Sequence, residues 1–213
     1  TGLWLSGLTT AWDRFEQRGF EQDIASPRGG DVPLDPRSLK FPFRNESAKS
    51  WLNNQERMAL LKNTPPIRSL DPNTYDAICL AGGHGAMFDF THNFELHNTI
   101  ASVYERGAIV ASVGHGYCGI LNVRLSDGSY LVNGKILTGP SWREEKLALV
   151  SQKVPYNAEE LAKERGADYN RWKRPYRSSA AATNGLVTGH NNSSSGDLVA
   201  SSVCEELERL SSG

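Results

Sequence analysis

Twice in this sequence an apolar run drives straight into a glycine turn that carries a histidine. The first is Asp76-Ala77-Ile78-Cys79-Leu80-Ala81, followed by Gly82-Gly83-His84-Gly85. The second is Ala108-Ile109-Val110-Ala111-Ser112-Val113, followed by Gly114-His115-Gly116. Short apolar runs bounded by turn residues read as buried strands. Helical spacing of apolar residues predicts helices over Leu3–Phe15, Glu46–Lys62, Glu95–Glu105, Arg143–Val150, Ala158–Gly166 and Ser195–Leu210, with a shorter one near Tyr117–Val123. Further short strands are expected at Phe20–Ala25, Ala180–Thr183 and Leu186–Thr188. The turn pairs Asp127-Gly128 and Asn133-Gly134 predict a small hairpin over Leu125–Thr138. Strands alternating with helices point to an α/β three-layer sandwich: a flavodoxin-like, mostly parallel sheet with helices on both faces, in one domain over residues 1–213. Such sheets place ligands where strand C-termini meet helix N-termini, which singles out Ala81–Ala86 and Val113–Cys118.

Composition narrows the functional classes. The 213 residues hold 23 Lys+Arg against 24 Asp+Glu, a net charge of −1 that removes the case for a general nucleic-acid or membrane-surface binder. The basic, aromatic tract Arg171–Arg177 therefore reads as a solvated connecting loop. Cys79, Cys118 and Cys204 are too few and scattered for a disulfide framework and have no zinc spacing, so a cytoplasmic setting is expected. The opening Thr1-Gly2-Leu3-Trp4 has no basic leader, and glycines interrupt the uncharged run Gly107–Val123, so neither a signal peptide nor a membrane span is expected. The five histidines show no i,i+4 pair with a third ligand, so no metal is expected. No redox cofactor is expected either. The Pro/Gly-rich stretch Ser26–Arg44 is a long loop, of the kind that often carries function.

A strand that turns sharply into a helix exposes one side chain at a strained corner, with backbone N–H groups aimed at it. That corner suits acyl or carbonyl chemistry, and its occupant is normally Ser or Cys; here it is Gly114. Thr1-Gly2-Leu3-Trp4-Leu5-Ser6, Ala25-Ser26-Pro27-Arg28-Gly29-Gly30 and Val32-Pro33-Leu34-Asp35-Pro36 join Ala81–Gly85, His115-Gly116, Leu137-Thr138-Gly139, Glu144-Glu145 and Leu186–Gly189 as a set of motifs. Together they resemble the ThiJ/PfpI superfamily, with the class I glutamine amidotransferase-like fold, in the branch of glutathione-independent glyoxalases (glyoxalase III) and stress chaperones. The resemblance spans nearly the whole chain.

The departures from that family carry as much information as the matches. The resemblance implies a nucleophilic cysteine before the histidine, where Gly114 stands, and a buried glutamate after Trp-Leu-Ser, where Gly7 stands. Both partners of the thiol chemistry are replaced together. What remains is His115, with Glu144 as its expected orienting carboxylate, and the turn Gly82-Gly83-His84-Gly85 as oxyanion hole. Gly114, Tyr117, Trp4, Phe88 and Trp142 are expected to line an enlarged pocket for a small substrate. An imidazole titrating near neutrality suits general acid–base work. The leading expectation is thus a cysteine-independent enzyme acting on a small carbonyl-bearing or aromatic molecule by hydrolysis, hydration/dehydration or isomerisation. A non-catalytic binding or chaperone-like protein is the alternative, and a glyoxalase or deglycase using a displaced thiol, Cys118, the second. The resemblance also implies a homodimer and sets the Thr188–Ser193 loop near the pocket or the dimer interface. The family places a central strand ahead of Thr1-Gly2-Leu3-Trp4, so this sequence is expected to lack a piece of the sheet.

Overall fold

The computed structural model describes residues 1–169, 179–190 and 195–211. In chain order the helices are α1 (Leu5–Gln17), α2 (Glu46–Leu52), α3 (Gln55–Ala59), α4 (Ala86–Asp89), α5 (Phe94–Glu105), α6 (Trp142–Leu147), α7 (Ala158–Glu164) and α8 (Gly196–Ser211). The strands are β1 (Ala77–Ala81), β2 (Ile109–Val113), β3 (Ile136–Leu137), β4 (Asp168–Tyr169), β5 (Ala180–Thr183) and β6 (Leu186–Gly189). The main sheet runs β1-β2-β6-β5, with β1, β2 and β6 parallel and β5 antiparallel to β6. No helix among the described residues is long and apolar enough to cross a membrane.

Alternation along β2 shows why helices cover both faces. Val110 joins a core with Leu96, Ile100 and Val103 of α5, whereas Ile109, Ala111 and Val113 pack with Val199 and Val203 of α8. A strand whose side chains alternate between two apolar layers must be buried on both sides, as a parallel sheet requires. α1 and α8 lie together on the second face, where Arg14 meets Asp197 at 2.7 Å. This is the three-layer arrangement.

Several local expectations are corrected. Residues 20–25 form no strand; the chain just beyond them meets the 64–66 segment through two isolated bridges, Ser26 to Pro66 and Gly30 to Thr64. The helix expected over Glu46–Lys62 is two, because Asn54 caps a new start by accepting from the amides of Glu56 and Arg57. The hairpin expected over Leu125–Thr138 reduces to one bridge, Arg124 to Tyr130. Its second arm, Ile136–Leu137, pairs instead in parallel with Asp168–Tyr169, sequestering Leu137 in the core. The hairpin of this fold is β5–β6, turning at Asn184-Gly185. Residues 114–119 make a short 3-10 turn where a helix was expected from Tyr117 onward. The tract Arg171–Arg177 and the loop residues Asn191–Ser193 lie outside the described residues.

Candidate active site

The two glycine turns meet backbone to backbone. A methyl group on Gly82 would lie 1.9 Å from the amide nitrogen of Gly116, and one on Gly116 would lie 1.9 Å from the carbonyl oxygen of Leu80. No other residue type fits at either point, which explains why glycine punctuates both strand ends. The N-terminal segment threads past the first turn: Trp4 N donates to Gly82 O (3.0 Å), and Gly85 N donates to Gly2 O. On its other side Leu3 bridges Leu34, which brings the 33–37 loop beside His84.

At the second turn Gly114 adopts φ +54°, the left-handed corner of a strand-to-turn elbow. The elbow persists without a nucleophile. Beside it sits His115, 3% exposed, whose Nε2 lies 2.7 Å from Glu145 Oε1. The other carboxylate oxygen, Oε2, meets His84 Nε2 at 2.9 Å. The two imidazole rings lie 4.1 Å apart, centroid to centroid. Arg37 continues the chain of contacts, with Nη2 2.8 Å from His84 Nδ1 and a two-pronged ion pair to buried Asp35.

Glu145, and not the expected Glu144, is therefore the carboxylate of His115. The reason is helix capping. Ser141 and Glu144 form a reciprocal capping box at the start of α6, with Ser141 N and Oγ both donating to Glu144 Oε2. Glu144 Oε1 is then taken by His190 Nε2 at 3.0 Å. The next residue points to a different side and reaches the two histidines. The Ser-x-x-Glu spacing of Ser141 and Glu144 was the signal in the sequence that Glu144 would serve the helix. Asp35 and Arg37 fall within the quoted Val32–Pro36 motif and its flank, but only the threading of residues 2–4 brings them to His84.

The hydrogen-bond donors settle the protonation states. A guanidinium has only donors, so His84 Nδ1 accepts from Arg37 and its Nε2 carries the proton given to Glu145. Burial, the largest influence, holds His115 below the ordinary imidazole range; its bond to Glu145 pulls the other way without winning. His115 is thus neutral at neutral pH and donates Nε2–H to Glu145. Burial alone would raise the Glu145 carboxyl, but bonds from His115 and His84 outweigh it and bring the group down to about 2. His84, His115 and Glu145 lie close enough to face a metal ion. Histidine ligands, however, give their remote N–H to an acceptor, whereas the remote nitrogen of His84 faces a donor. The trio fits a proton-sharing relay better than a cation cage.

The other expected residues divide into groups. Tyr117 and Trp142 share with His115, Glu145, Met87 and Pro140 a crevice that has no space large enough for a water molecule. Trp4 stands on the Arg37 side, its ring 5.6 Å from the guanidinium carbon and 5.3 Å from the Phe43 ring. Phe88 is 53% exposed on α4 and does not line the crevice. Among the described residues, the amides of Gly83 and His84 have no hydrogen bond. Cys118 is fully buried, and burial pushes its thiol up to about 12, which works against the thiolate form that a substitute nucleophile needs.

Fold and site together define an α/β protein with a strand-end elbow, a buried imidazole–carboxylate relay and no thiol at the corner. No family model matches the chain. A probable glutathione-independent glyoxalase of Schizosaccharomyces pombe is 31% identical over 225 residues, covering 91% of this chain and 86% of that protein. The crystal structure of glyoxalase III from Candida albicans superposes with a TM-score of 0.87 at 26% identity, covering 96% of this chain and 87% of that one. Rapid Encystment Protein 24 kDa of Francisella tularensis superposes with a TM-score of 0.90 at 29% identity, covering 97% and 90%. The chain belongs to the ThiJ/PfpI superfamily, in its glyoxalase III branch.

Proposed function

We propose that this protein is a cysteine-independent enzyme acting on a small carbonyl-bearing molecule, with His115 as general base and Glu145 as its orienting carboxylate. The observation that carries this reading is the sharing of one buried carboxylate between two imidazoles, with Arg37 setting the tautomer of His84. Glutathione-independent glyoxalase, the name of several relatives, supplies the substrate class. In the proposed step, His115 Nδ1 takes a proton from water as the water oxygen bonds to the carbonyl carbon. The carbonyl π pair moves onto oxygen, where the amides of Gly83 and His84 stabilise it, and Glu145 stabilises the imidazolium. The same base serves proton transfer next to the carbonyl, so hydration/dehydration and isomerisation share this machinery. Trp4, Tyr117 and Trp142 border the reacting groups in this reading. It also takes the protein as a cytoplasmic homodimer, the dimer being checked by sedimentation.

One observation favours a second reading, a non-catalytic binding or chaperone-like protein: the crevice beside His115 has no room for water. A single assay separates the two. Purified protein, His115→Ala and Gly7→Glu/Gly114→Cys are tested on methylglyoxal and on a panel of small aldehydes and ketones. Turnover of any compound that falls at least a hundredfold in His115→Ala supports the enzyme. Activity unchanged in that variant overturns His115 as base. Turnover seen only in Gly7→Glu/Gly114→Cys supports the non-catalytic reading.

A further inference from the structure

Away from the glycine turns, an open cleft of about 400 Å³ lies between the start of α5, the 122–130 loop and the end of α7. It shares no lining residue with the His115 crevice. Two guanidiniums converge on it around one ring. The Arg124 carbon lies 3.5 Å from the centroid of Tyr130, and the Arg165 carbon 4.6 Å from the same centroid. Each is held by a neutral acceptor: Arg124 Nη1 donates to Gly128 O at 2.6 Å, and Arg165 Nε donates to Asn122 Oδ1 at 3.1 Å. Asn122 is itself fixed by donating to Thr91 O. Among the described residues neither arginine pairs with a carboxylate, and the remaining N–H groups of both forks are uncommitted. His92 and His97 also line the cleft, and Phe94, 73% exposed, stands at its rim.

Two like charges held against one ring, pre-oriented and without a paired carboxylate, are stabilised by an anion bound in the cleft they both line. Guanidinium forks match the oxygen spacing of a phosphate, and rigid placement reduces the ordering cost of binding. A cleft of this volume is far larger than a bare phosphate needs, and lies within the range of small-molecule sites. The exposed Phe94 ring gives a flat apolar surface on which a planar group can stack. From these features we propose that the Arg124–Tyr130–Arg165 cleft binds a phosphate monoester of a planar ring compound. The phosphate sits on the two guanidiniums and the ring against Phe94. This site is independent of the His115–Glu145 relay.

The test is titration of the full chain at low salt with adenosine 5′-monophosphate and with inorganic phosphate, followed by calorimetry and by amide chemical shifts. Saturable binding of the nucleotide is expected, with shifts at residues 91–97, 122–130 and 165. Arg124→Gln/Arg165→Gln should weaken it at least tenfold. Phe94→Ala should weaken the nucleotide severalfold and leave phosphate binding unchanged. Arg124→Gln alone, at an exposed position, keeps the test available if the double variant does not fold. Absence of saturable nucleotide binding overturns the proposal, as does equal binding by the arginine variants. Equal affinity for phosphate and nucleotide overturns the ring contact.

Discussion

At Gly114 the backbone keeps φ +54°, a value that strains any residue with a side chain and is commonly tolerated where a nucleophile must be displayed. Glycine holds the corner without strain and with no side chain of its own, so the polar groups beside the corner are His115 with Glu145, His84 and Arg37. That makes His115 a measurable reporter. Its imidazole, lowered by burial, should stay neutral at pH 6.5 in an NMR titration. The Glu145 anion favours the protonated ring, so Glu145→Gln should lower the His115 midpoint further. A midpoint that rises in Glu145→Gln would contradict the assignment of Glu145 as its partner. His115 was readable from the sequence because it follows the corner glycine. Its partner was not, since Glu144 and Glu145 are adjacent and only the helix start decides which of them turns inward.

α6 is the element that makes this decision. It has only six residues, Trp142–Leu147, too few to be stable alone, so its position depends on its first turn. That turn is held three times: by the Ser141–Glu144 box, by Glu144 to His190 from the end of β6, and by Glu159 accepting from Trp142 N at 3.0 Å. Ser141→Ala removes one partner of the box and should cost about 1 kcal/mol in urea unfolding. The same variant should broaden or shift the His115 resonance, because Glu145 follows Glu144 by one residue. Elsewhere the elements with long periodic patterns, α1, α5, α7 and α8, were legible within a few residues. The expected hairpin at Leu125–Thr138 failed because β3 finds a better-buried partner in β4, 32 residues further along, than its own turn could offer.

Taken over the whole molecule, the site's buried ionisable groups set an acid limit. The Glu145 carboxyl lies at about 2 when folded, against roughly 4.3 unfolded. Burial opposes ionisation of Asp35 too, but its bonds to Arg37 prevail and lower it. His115 is likewise lowered, by burial first. A group depressed by folding contributes stability above its unfolded value, and that contribution is lost as pH falls through the folded one. His115 therefore costs stability as pH drops below about 6.5, and the two carboxylates as it drops below about 4. Asp89, raised by burial, acts in the opposite sense. The urea midpoint should consequently be highest near neutrality and fall toward pH 3. A midpoint flat between pH 7 and pH 3.5 would show that these groups are not held as described.

The sequence by itself determined the parts whose cause is local: buried strands ending in glycine turns, the layering of helices on a mostly parallel sheet, glycine at positions 7 and 114, and a histidine next to the corner. These follow from apolar runs, turn residues and single side chains, all of which act over a few positions. Only the tertiary structure decided which glutamate serves His115, that His84 and Arg37 extend the relay, and that two arginines gather on Tyr130. Each of those depends on segments far apart in sequence packing together, where a backbone contact such as Gly82 on Gly116 sets which side chains can meet.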